Sequence, residues 1–260
     1  MARKLMCFGD VHIPYHNKTA VSVFVEAVKH FKPDIVVCLG DLLDCSQFSV
    51  HPPTFGFEQT DFEEDLDAAK GLLDTIQKHC GTLVMLEGNH ENRIDRWAAR
   101  TVEGRGVYTR IAPRIQLSKT LDGKPRKRFV YIKYGSVDGR YPHYKINFRV
   151  MAVHGWSYAK HATKNHLDMS QGKSVIHGHT HRADSTRIQS IWRDDQLIQA
   201  HSCGCLCQRI PLYGTGRPVE WVNLFVMGWL GRTSEWILPI DILGNHCILP
   251  DGTRIDGKVQ

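Results

Sequence analysis

Short apolar runs alternate with an amphipathic pattern at the start of the chain. Residues 4–8 and 35–39 are compact apolar runs of strand length. Between them, residues 19–31 repeat apolar positions at helical spacing, with Val21 and Val25 on one side. This order predicts a strand–helix–strand unit whose two strands lie parallel.

A second unit repeats this order. The acidic segment 61–65 favours the start of a helix, because carboxylates stabilise a helix N-terminus, and the helical pattern runs to about residue 79. Residues 82–86 form another buried-strand run, and a further helix is predicted from Asn92 to Arg100. These units predict an α/β fold built on parallel strands.

The rest of the chain is richer in strand patterns. Strands are predicted at residues 129–134, 147–153, 174–176, 186–191, 197–201, 219–226 and 234–240, and a helix at residues 160–170. The sequence contains no repeat, low-complexity tract or linker. We therefore expect a single domain over residues 1–260. Residues 1–181 would form its motif-bearing core, and residues 182–260 a β-rich part that closes a second sheet against the first.

The composition is that of an ordinary soluble globular chain, with 42% hydrophobic and 23% charged residues in a length of 260. The apolar run near the N-terminus ends at Gly9 and Asp10, too early for a signal peptide. The longest apolar stretch, residues 221–230, is too short to span a bilayer. We expect a cytoplasmic protein that does not contact a membrane.

Eight cysteines in a chain without an export signal favour free thiols. Cys203, Cys205 and Cys207 alternate, so that on a strand their thiols would share one face. Small buried core residues are the favoured interpretation of this cluster, and a metal site is the alternative.

Positive charge is concentrated between Arg105 and Arg128, where eight Lys or Arg residues stand against one acid, Asp122. The net charge of the whole chain is +6. A basic loop beside a phosphate-processing site would bind a polyanionic backbone. A solvated surface loop is the alternative.

Polar side chains of the kind that bind metals follow one predicted strand after another. The segments are Gly9-Asp10-Val11-His12, Gly40-Asp41-Leu42-Leu43-Asp44, Gly88-Asn89-His90-Glu91, His154-Gly155 and Gly178-His179-Thr180-His181. Because the carboxyl ends of parallel strands share one edge of a sheet, we expect these side chains to converge. In the last segment, His179 and His181 would lie on one strand-like face.

These side chains have the chemistry of a metal centre. Asp, Asn and His supply oxygen and nitrogen ligands that suit borderline divalent ions such as Mn²⁺, Fe²⁺ or Zn²⁺. The seven candidates are more than one ion takes from protein while leaving room for a substrate. Their number fits two ions that share a carboxylate.

The five motifs, in this order, resemble those of the calcineurin-like metallophosphoesterase superfamily, and the tail is similar to that of its bacterial and phage members. The resemblance covers Asp10 to His181. It implies an α/β fold of two stacked mixed β-sheets flanked by helices, a four-layer sandwich. It also implies a hydrolase in which hydroxide held by two divalent cations attacks a phosphoester in line on phosphorus.

The resemblance assigns ligands to each cation, with Asp41 bridging the two. One cation would be held by Asp10, His12, Asp41 and His181, and the other by Asp41, Asn89, His154 and His179. Mn²⁺ is the favoured ion, with Fe²⁺, Zn²⁺ or Ni²⁺ as alternatives. His177 does not fit the pattern and is interpreted as a structural imidazole or as one that supports a ligand from behind.

The resemblance also implies a catalytic proton donor, His90, oriented by Asp44, because a neighbouring carboxylate favours the imidazolium form. Asn89, His90 and Arg93 are the predicted substrate-binding residues, with a surface ion pair as the alternative for Arg93. Glu91 is either a partner behind the site or a helix N-terminal residue.

A phosphodiester is the predicted substrate, with nucleic acid or a nucleotide as candidate molecules. Asp44 is followed by Cys45-Ser46, where serine/threonine protein phosphatases have Arg-Gly. The tail contains four tryptophans that would stack on bases or, more commonly, pack in the core: Trp192, Trp221, Trp229 and Trp236. A phosphomonoesterase, a nucleic-acid-binding module with vestigial activity and a degenerate scaffold are the alternatives.

Overall fold

Two mixed β-sheets form the centre of the molecule in the computed structural model, which describes residues 2–50, 60–135, 141–189, 197–209, 219–232 and 234–258. The first sheet consists of β1 (Arg3–Phe8), β2 (Ile35–Cys38), β3 (Thr82–Leu86), β4 (Phe129–Ile132), β10 (Leu224–Leu230) and β11 (Glu235–Asp241). The second consists of β5 (His143–Lys145), β6 (Val150–Val153), β7 (Ser174–His177), β8 (Ser185–Gln189) and β9 (Leu197–Ser202). A hairpin of β12 (His246–Ile248) and β13 (Arg254–Asp256) lies apart from both sheets.

The first sheet is antiparallel at one edge, and the second sheet is antiparallel at both edges. The first has the order β11-β10-β1-β2-β3-β4, in which β1 to β4 are parallel and β10 pairs antiparallel with β1. The second has the order β5-β6-β7-β9-β8, in which β6, β7 and β9 are parallel. Strands from the β-rich tail therefore complete both sheets.

The helices lie on the outer faces of the two sheets or follow the strand ends. They are α1 (Lys18–Phe31), α2 (Phe62–Gln77), α3 (Asn92–Arg100), α4 (Val102–Ile111), α5 (Pro113–Gln116) and α6 (Ala162–Asp168). Side-chain caps define two of the starts, because Asn17 accepts the Ala20 N–H and Asp61 accepts the Glu63 N–H.

The alternation of β1 explains the layered packing. Leu5 and Cys7 point into the apolar core between the two sheets, whereas Met6 and Phe8 point into the core beneath α1 and α2. All four side chains are fully buried. On the outer side of the second sheet, Leu167 of α6 packs in a third apolar cluster with strand residues of that sheet. The predicted four-layer sandwich is confirmed.

The basic segment differs from the expected loop. It contains α4 and α5, and Arg126 is buried in an ion pair with Asp74 of α2. Arg128 lies at the amino end of the strand pair β3 and β4, where its carbonyl accepts the N–H of Leu83. Because the predicted ligands follow the carboxyl ends of the strands, the last part of the basic segment lies at the opposite end of the sheet.

Some strand boundaries in the tail also differ from the prediction. β10 begins at Leu224 rather than at residue 219, and β5, β12 and β13 were not predicted, because strands of three residues leave too short an apolar pattern. Ile191 and Trp192 lie outside the described residues. The described helices are all too short or too polar to cross a bilayer.

Candidate metal centre

The predicted ligands stand directly after five parallel strands that belong to two different sheets. Strands β1, β2 and β3 of the first sheet lead to Asp10 and His12, to Asp41, and to Asn89. Strands β6 and β7 of the second sheet lead to His154 and to His179 and His181. The carboxyl edges of two stacked sheets therefore meet at one place, and the side chains converge there.

Most of these residues have a left-handed backbone. Five of the predicted ligands have positive φ angles: Asp10 at 51°, His12 at 52°, Asp41 at 50°, His179 at 73° and His181 at 58°. Non-glycine residues adopt this conformation rarely, and they concentrate at functional sites where the surrounding structure holds them. β7 ends at His177, so the two histidines after it are aligned by turns and not by a strand face, contrary to the prediction.

Two glycines of the motifs are required for close approach. A Cβ atom on Gly88 would collide with the carboxylate of Asp41, and one on Gly178 would collide with the carboxylate of Asp10. The missing side chains let main-chain N–H groups orient those carboxylates. The N–H of His90 donates to Asp41 Oδ1 at 2.9 Å, and the N–H of His179 donates to Asp10 Oδ2 at 2.8 Å.

The first ligand cluster combines Asp10, His12 and His181. His181 Nε2 lies 3.1 Å from Asp10 Oδ1 and 3.2 Å from His12 Nε2. His12 donates its Nδ1–H to Asp44 Oδ2 at 3.1 Å, which leaves its Nε2 lone pair pointing at the cluster. Two nitrogen atoms and a carboxylate oxygen thus face one point.

The second cluster combines Asp41, His154 and His179, with Asn89 beside them. His154 donates its Nδ1–H to the carbonyl of Leu39 at 2.9 Å, so its Nε2 carries a lone pair in the neutral ring. That Nε2 lies 2.8 Å from Asn89 Oδ1, 3.1 Å from His179 Nδ1 and 3.4 Å from Asp41 Oδ2.

Asp41 lies between the two clusters. Its Oδ2 is 3.4 Å from His154 Nε2 on one side and 3.8 Å from His12 Nε2 on the other. The side chain is buried, with 2% of its surface exposed. This is the position that a carboxylate shared by two cations would occupy.

The donor set fits divalent cations. In each cluster, nitrogen and oxygen atoms that can bind a metal face one another, and a cation would satisfy them together once the rings are neutral. Neighbouring ligands of an ion bound at ~2.1 Å are themselves ~3 Å apart, which is the spacing seen within both clusters. The seven predicted ligands, namely Asp10, His12, Asp41, Asn89, His154, His179 and His181, are therefore brought together as two adjacent sites.

The electrostatics of the clusters indicate that protons and cations compete for the same place. Burial would raise the pKa of Asp41, but the positive fields of His154 and His90 outweigh it and hold that pKa well below its ordinary value. Burial would lower the pKa of His154, but the charge of Asp41 outweighs it and raises that pKa to about 9. Cation binding would therefore release protons.

His90 lies beside the first cluster, and its ring also groups with His12 and Asp41 as a set of side chains that could hold a cation. Its Nδ1–H donates to the main-chain carbonyl of Asp44 at 2.8 Å, and the Asp44 carboxylate is 3.4 Å away. The nearer imidazole partner of that carboxylate is His12. Asp44 therefore orients His90 chiefly through its backbone, whereas the sequence had suggested the side chain. Burial opposes protonation of His90, but the carboxylate of Asp41 dominates and raises the pKa.

Arg93 contacts His90 and is partly exposed. Its Nη1 donates to the carbonyl of Asp44 at 2.9 Å, and its Nη2 donates to His90 Nε2 at 3.1 Å. Asn89 and His90 line the cavity above the clusters. Arg93 reaches this cavity through His90.

Glu91 supports the site from behind and also stands at the N-terminus of α3. Its fully buried carboxylate accepts the main-chain N–H groups of Asp41 at 3.0 Å, Leu43 at 2.9 Å and Gly88 at 2.8 Å. Burial and the charge of Asp41 raise its pKa to about 7. Both interpretations left open by the sequence therefore apply to this one residue.

His177 has both ring nitrogens engaged away from the clusters. Its Nδ1–H donates to the carbonyl of Gly178 at 2.9 Å, and its Nε2 accepts the hydroxyl of Thr163 at 2.9 Å. The ring stacks on His166 with centroids 4.2 Å apart. Burial lowers the pKa of His177 to about 3, so the ring is neutral and structural.

The cysteine cluster is split, because β9 ends at Ser202 before the first of the three thiols. Cys203 packs in the core between the sheets, as predicted. Cys207 Sγ instead lies 3.8 Å from Nδ1 of His181, behind the first ligand cluster. The buried thiol therefore contacts Nδ1 of His181, the ring nitrogen that points away from the first ligand cluster.

The walls of the cavity include residues that the motifs did not indicate. Tyr158, Arg182 and Trp221 line it together with the ligand residues. Tyr158 follows the His154 motif by a few residues, but its sequence context carries no chemical signal. Trp221 was predicted only as one of four tail tryptophans.

Comparison with known proteins agrees with this geometry. The family model for calcineurin-like phosphoesterases matches residues 3–183. The Gene 54 protein of Mycobacterium phage L5 is 24% identical over 291 residues, covering 100% of this chain and 99% of the phage protein.

Two solved structures are similar at low sequence identity. Vps29 of Chaetomium thermophilum has 12% identity and a TM-score of 0.49, with 98% of this chain and 93% of that chain covered. Wild-type Vps29 of Entamoeba histolytica complexed with Zn+2 has 13% identity and a TM-score of 0.49, with 97% and 98% covered. Because the family match spans every predicted ligand from Asp10 to His181, the chain belongs to the calcineurin-like phosphoesterase family.

Proposed function

We propose that this protein is a dinuclear metal-dependent phosphodiesterase that acts on nucleic acid or on a nucleotide. Family membership supports metal-dependent phosphoester hydrolysis. The preference for a diester and the nature of the substrate are the parts that we add.

The observation that carries the proposal is the pair of ligand clusters on either side of Asp41, with His90 beside them. A pure binding module or a scaffold would not need two sets of lone pairs aimed at neighbouring points, nor a carboxylate shared between them. Divalent cations held there would polarise the phosphoryl oxygens and lower the pKa of a coordinated water.

The protein's own residues would then supply orientation and a proton. The carbonyl of Asp44 fixes the Nδ1–H side of His90, so Nε2 is the atom left to face a substrate. In its imidazolium form, His90 would give the Nε2 proton to the departing alkoxide.

Arg93 couples this step to substrate binding. In the structure its Nη2 donates to His90 Nε2, so the same nitrogen cannot carry a proton while this contact lasts. A phosphoryl oxygen is a stronger acceptor for a guanidinium than an imidazole nitrogen, so we propose that Arg93 transfers to the phosphate when the substrate binds. His90 Nε2 is then free to take up a proton from solvent and to act as the acid.

Support for a diester comes from the segment after Asp44, which lacks the Arg-Gly of the protein phosphatases. The basic segment gives less support than its sequence suggested, because Arg126 is committed to Asp74 and the residues next to it lie at the far end of the sheet. A phosphomonoesterase therefore stays the alternative.

The test uses purified protein stripped of metal and reconstituted with Mn²⁺, and in parallel with Fe²⁺, Zn²⁺ or Ni²⁺. Hydrolysis of bis(p-nitrophenyl) phosphate, p-nitrophenyl phosphate and single-stranded DNA is measured side by side. Asp41→Asn is the control, because it weakens both cation sites at once while changing one atom of the side chain.

We expect cation-dependent hydrolysis of the diester well above that of the monoester, and a loss of several orders of magnitude in Asp41→Asn. DNA cleavage would extend the activity to a nuclease. A monoester preference would favour the phosphatase instead. Undiminished activity in the stripped protein, or binding of DNA without any hydrolysis, would refute the proposal.

A further inference from the structure

A cavity of about 520 Å³ opens above the two ligand clusters. Part of its lining is provided by ligand residues, and part by residues from two neighbouring segments. Those segments contribute Tyr158 on one side and Val219, Glu220 and Trp221 on the other, with Thr180 and Arg182 from the segment that carries the last ligand. These six residues are not predicted to bind a cation, so they can serve another role at the cavity.

Each ligand cluster has one aromatic ring against it. The ring centroid of Tyr158 lies 4.0 Å from that of His179, which belongs to the second cluster. The ring centroid of Trp221 lies 4.3 Å from that of His181, which belongs to the first cluster. The cavity therefore has an aromatic wall at each of the two cation sites.

Hydrogen bonds to main-chain carbonyls fix both walls to the ligand segment. The N–H of Val222, next to Trp221, donates to the carbonyl of His181 at 2.9 Å. On the other side, Arg182 Nη2 donates to the carbonyl of Ala159, next to Tyr158, at 2.6 Å. The residues beside both rings are thus bound to consecutive residues of one segment, and the walls are placed relative to the cations.

These aromatic side chains do not serve the apolar core. Tyr158 is 72% exposed, and Trp221 is partly exposed at the cavity. By contrast, Trp229 and Trp236 stack on each other at 5.1 Å on the outer strands of the first sheet, and Trp229 also packs against Phe31. An exposed aromatic ring at the mouth of a polar site is suited to bind a flat partner.

We propose that the substrate is a phosphodiester with a planar group, a nucleobase, on each side of the phosphorus, and that Trp221 and Tyr158 are specificity-determining residues that stack on these groups. This inference rests on the proposed function, because it places the phosphoryl group across the two clusters. One ester arm then extends toward the wall at the first cluster and the other arm toward the wall at the second.

Two aromatic walls would produce a preference for diesters with two planar arms, which the cations alone do not produce. A monoester or a diester with one small arm would leave one ring without a partner. A dinucleotide, or a dinucleotide step within a single strand, would use both. Stacking of a base on an aromatic side chain is sequence-tolerant, so the inferred substrate is a class of nucleic-acid diester and not one base sequence.

The experiment compares three diesters on the Mn²⁺-loaded protein. Bis(p-nitrophenyl) phosphate has two planar arms, and methyl p-nitrophenyl phosphate has one, with the same leaving group. Thymidylyl-(3′→5′)-thymidine tests the bases themselves. The variants are Trp221→Leu and Tyr158→Leu, with Trp221→Phe and Tyr158→Phe retaining a ring. Trp236→Leu is the matched control, because it removes a tryptophan that is 54% exposed but lies outside the cavity.

We expect each Leu variant to raise KM for the bis ester and for the dinucleotide about tenfold, with kcat changed less than about twofold. The methyl ester should respond to only one of the two Leu variants, because it has only one planar arm. The Phe variants should retain most of the affinity, and Trp236→Leu should behave like the unchanged protein.

Binding is measured separately from turnover, by calorimetric titration of the dinucleotide into metal-loaded protein in the His90→Gln background. If the Leu variants bind and hydrolyse the two-armed diesters as well as the unchanged protein does, the inference is wrong and the proposed function still stands. If the unchanged protein hydrolyses none of the diesters, the proposed function fails. Weaker dinucleotide binding in the folded Leu variants would then still support the aromatic walls.

Discussion

At the scale of single residues, the site depends on which ring nitrogen of each histidine is already occupied. The Nδ1–H of His154 is held by the carbonyl of Leu39, and that of His12 by the carboxylate of Asp44. Each partner fixes the tautomer and leaves Nε2 free for a cation. His177 shows the opposite case, because both of its nitrogens are engaged.

His90→Gln tests the assigned acid. We expect kcat to fall by about 10²- to 10⁴-fold with an alkoxide leaving group, and much less with p-nitrophenolate, which needs no proton. All seven predicted ligands remain in this variant, so the metal content should stay largely unchanged. Steady-state kinetics and metal analysis provide the readouts, with His30→Gln as an exposed control. A folded His90→Gln protein with full rate on a poor leaving group would contradict the assignment.

A pH effect on stability is expected at His201 of the second sheet, whose ring is hydrogen-bonded to Ser185 and Gln199. Burial, with a smaller contribution from Arg187, lowers its pKa to about 4, against an ordinary value of about 6.5 in the unfolded chain. The unfolded state therefore binds a proton first as the pH falls. The contribution of His201 to stability is complete above pH ~6.5 and is lost as the pH falls from there toward 4.

Urea unfolding at pH 7.5 and at pH 5 measures this effect. His201→Gln should reduce the loss of stability between the two pH values, because up to one proton less is taken up on unfolding. Equal losses in both proteins would contradict the prediction.

At the scale of elements, short turns after the strands carry the site, and the helices brace it from behind. α3 begins directly after the motif that contains Asn89, and Glu91 at its N-terminus binds the turns after β2 and β3 to each other. The basic segment contributes to a different region. Arg126 joins α2 to the entry of β4, with Nε donating to the carbonyl of Leu117 at 2.9 Å and Nη2 donating to that of Lys70 at 3.1 Å.

Arg126→Leu should therefore destabilise the protein without affecting catalysis. The change removes the cation that pairs with the partly buried carboxylate of Asp74 and donates to two carbonyls, and among the described residues leaves that carboxylate only the main-chain N–H of Leu121. The expected cost is on the order of 3 kcal/mol of unfolding free energy. Urea denaturation measures it. The double variant Asp74→Leu/Arg126→Leu should lose less than the sum of the single variants. A large fall in kcat of folded Arg126→Leu would contradict its placement at the far end of the sheet.

At the scale of the whole molecule, the two candidate ligand clusters join the two sheets. Asp10 and Asp41 come from the first sheet, and His154 and His179 from the second, so every bound cation would link the layers. The left-handed ligand residues store strain in this place, and cation binding would offset it.

Removal of metal should lower the melting temperature. Ligand linkage gives a stabilisation of about 2.7 kcal/mol when the free cation is at 100 times its Kd. Calorimetric scans with chelator and with Mn²⁺ at pH 7.5 measure the shift. Asp41→Asn should show a much smaller shift, because it weakens both sites. Identical melting curves with and without Mn²⁺ would show that the clusters do not bind the ion in the folded protein.

The sequence by itself determined the order of most elements and the positions of the ligand motifs. Apolar periodicity is a local property, and Asp41, Asn89 or His154 can be recognised because each follows a buried run at a strand end. The order of the motifs also indicated the family, and the family implied the four-layer arrangement. The pattern could not give the helices of the basic segment, because their apolar faces are weak and charged residues interrupt them.

Only the tertiary structure decided how those parts combine. Four features depend on partners that are distant in the chain. They are the division of the ligands between two sheets, the ring nitrogens left free on His12 and His154, the contact of the Asp44 carbonyl with His90, and the burial of Arg126. Tyr158 and Trp221 flank the cavity for the same reason, since each is positioned by contacts to the segment of His181. Hydrogen bonds and packing between separate segments fix these features, and no local pattern encodes them.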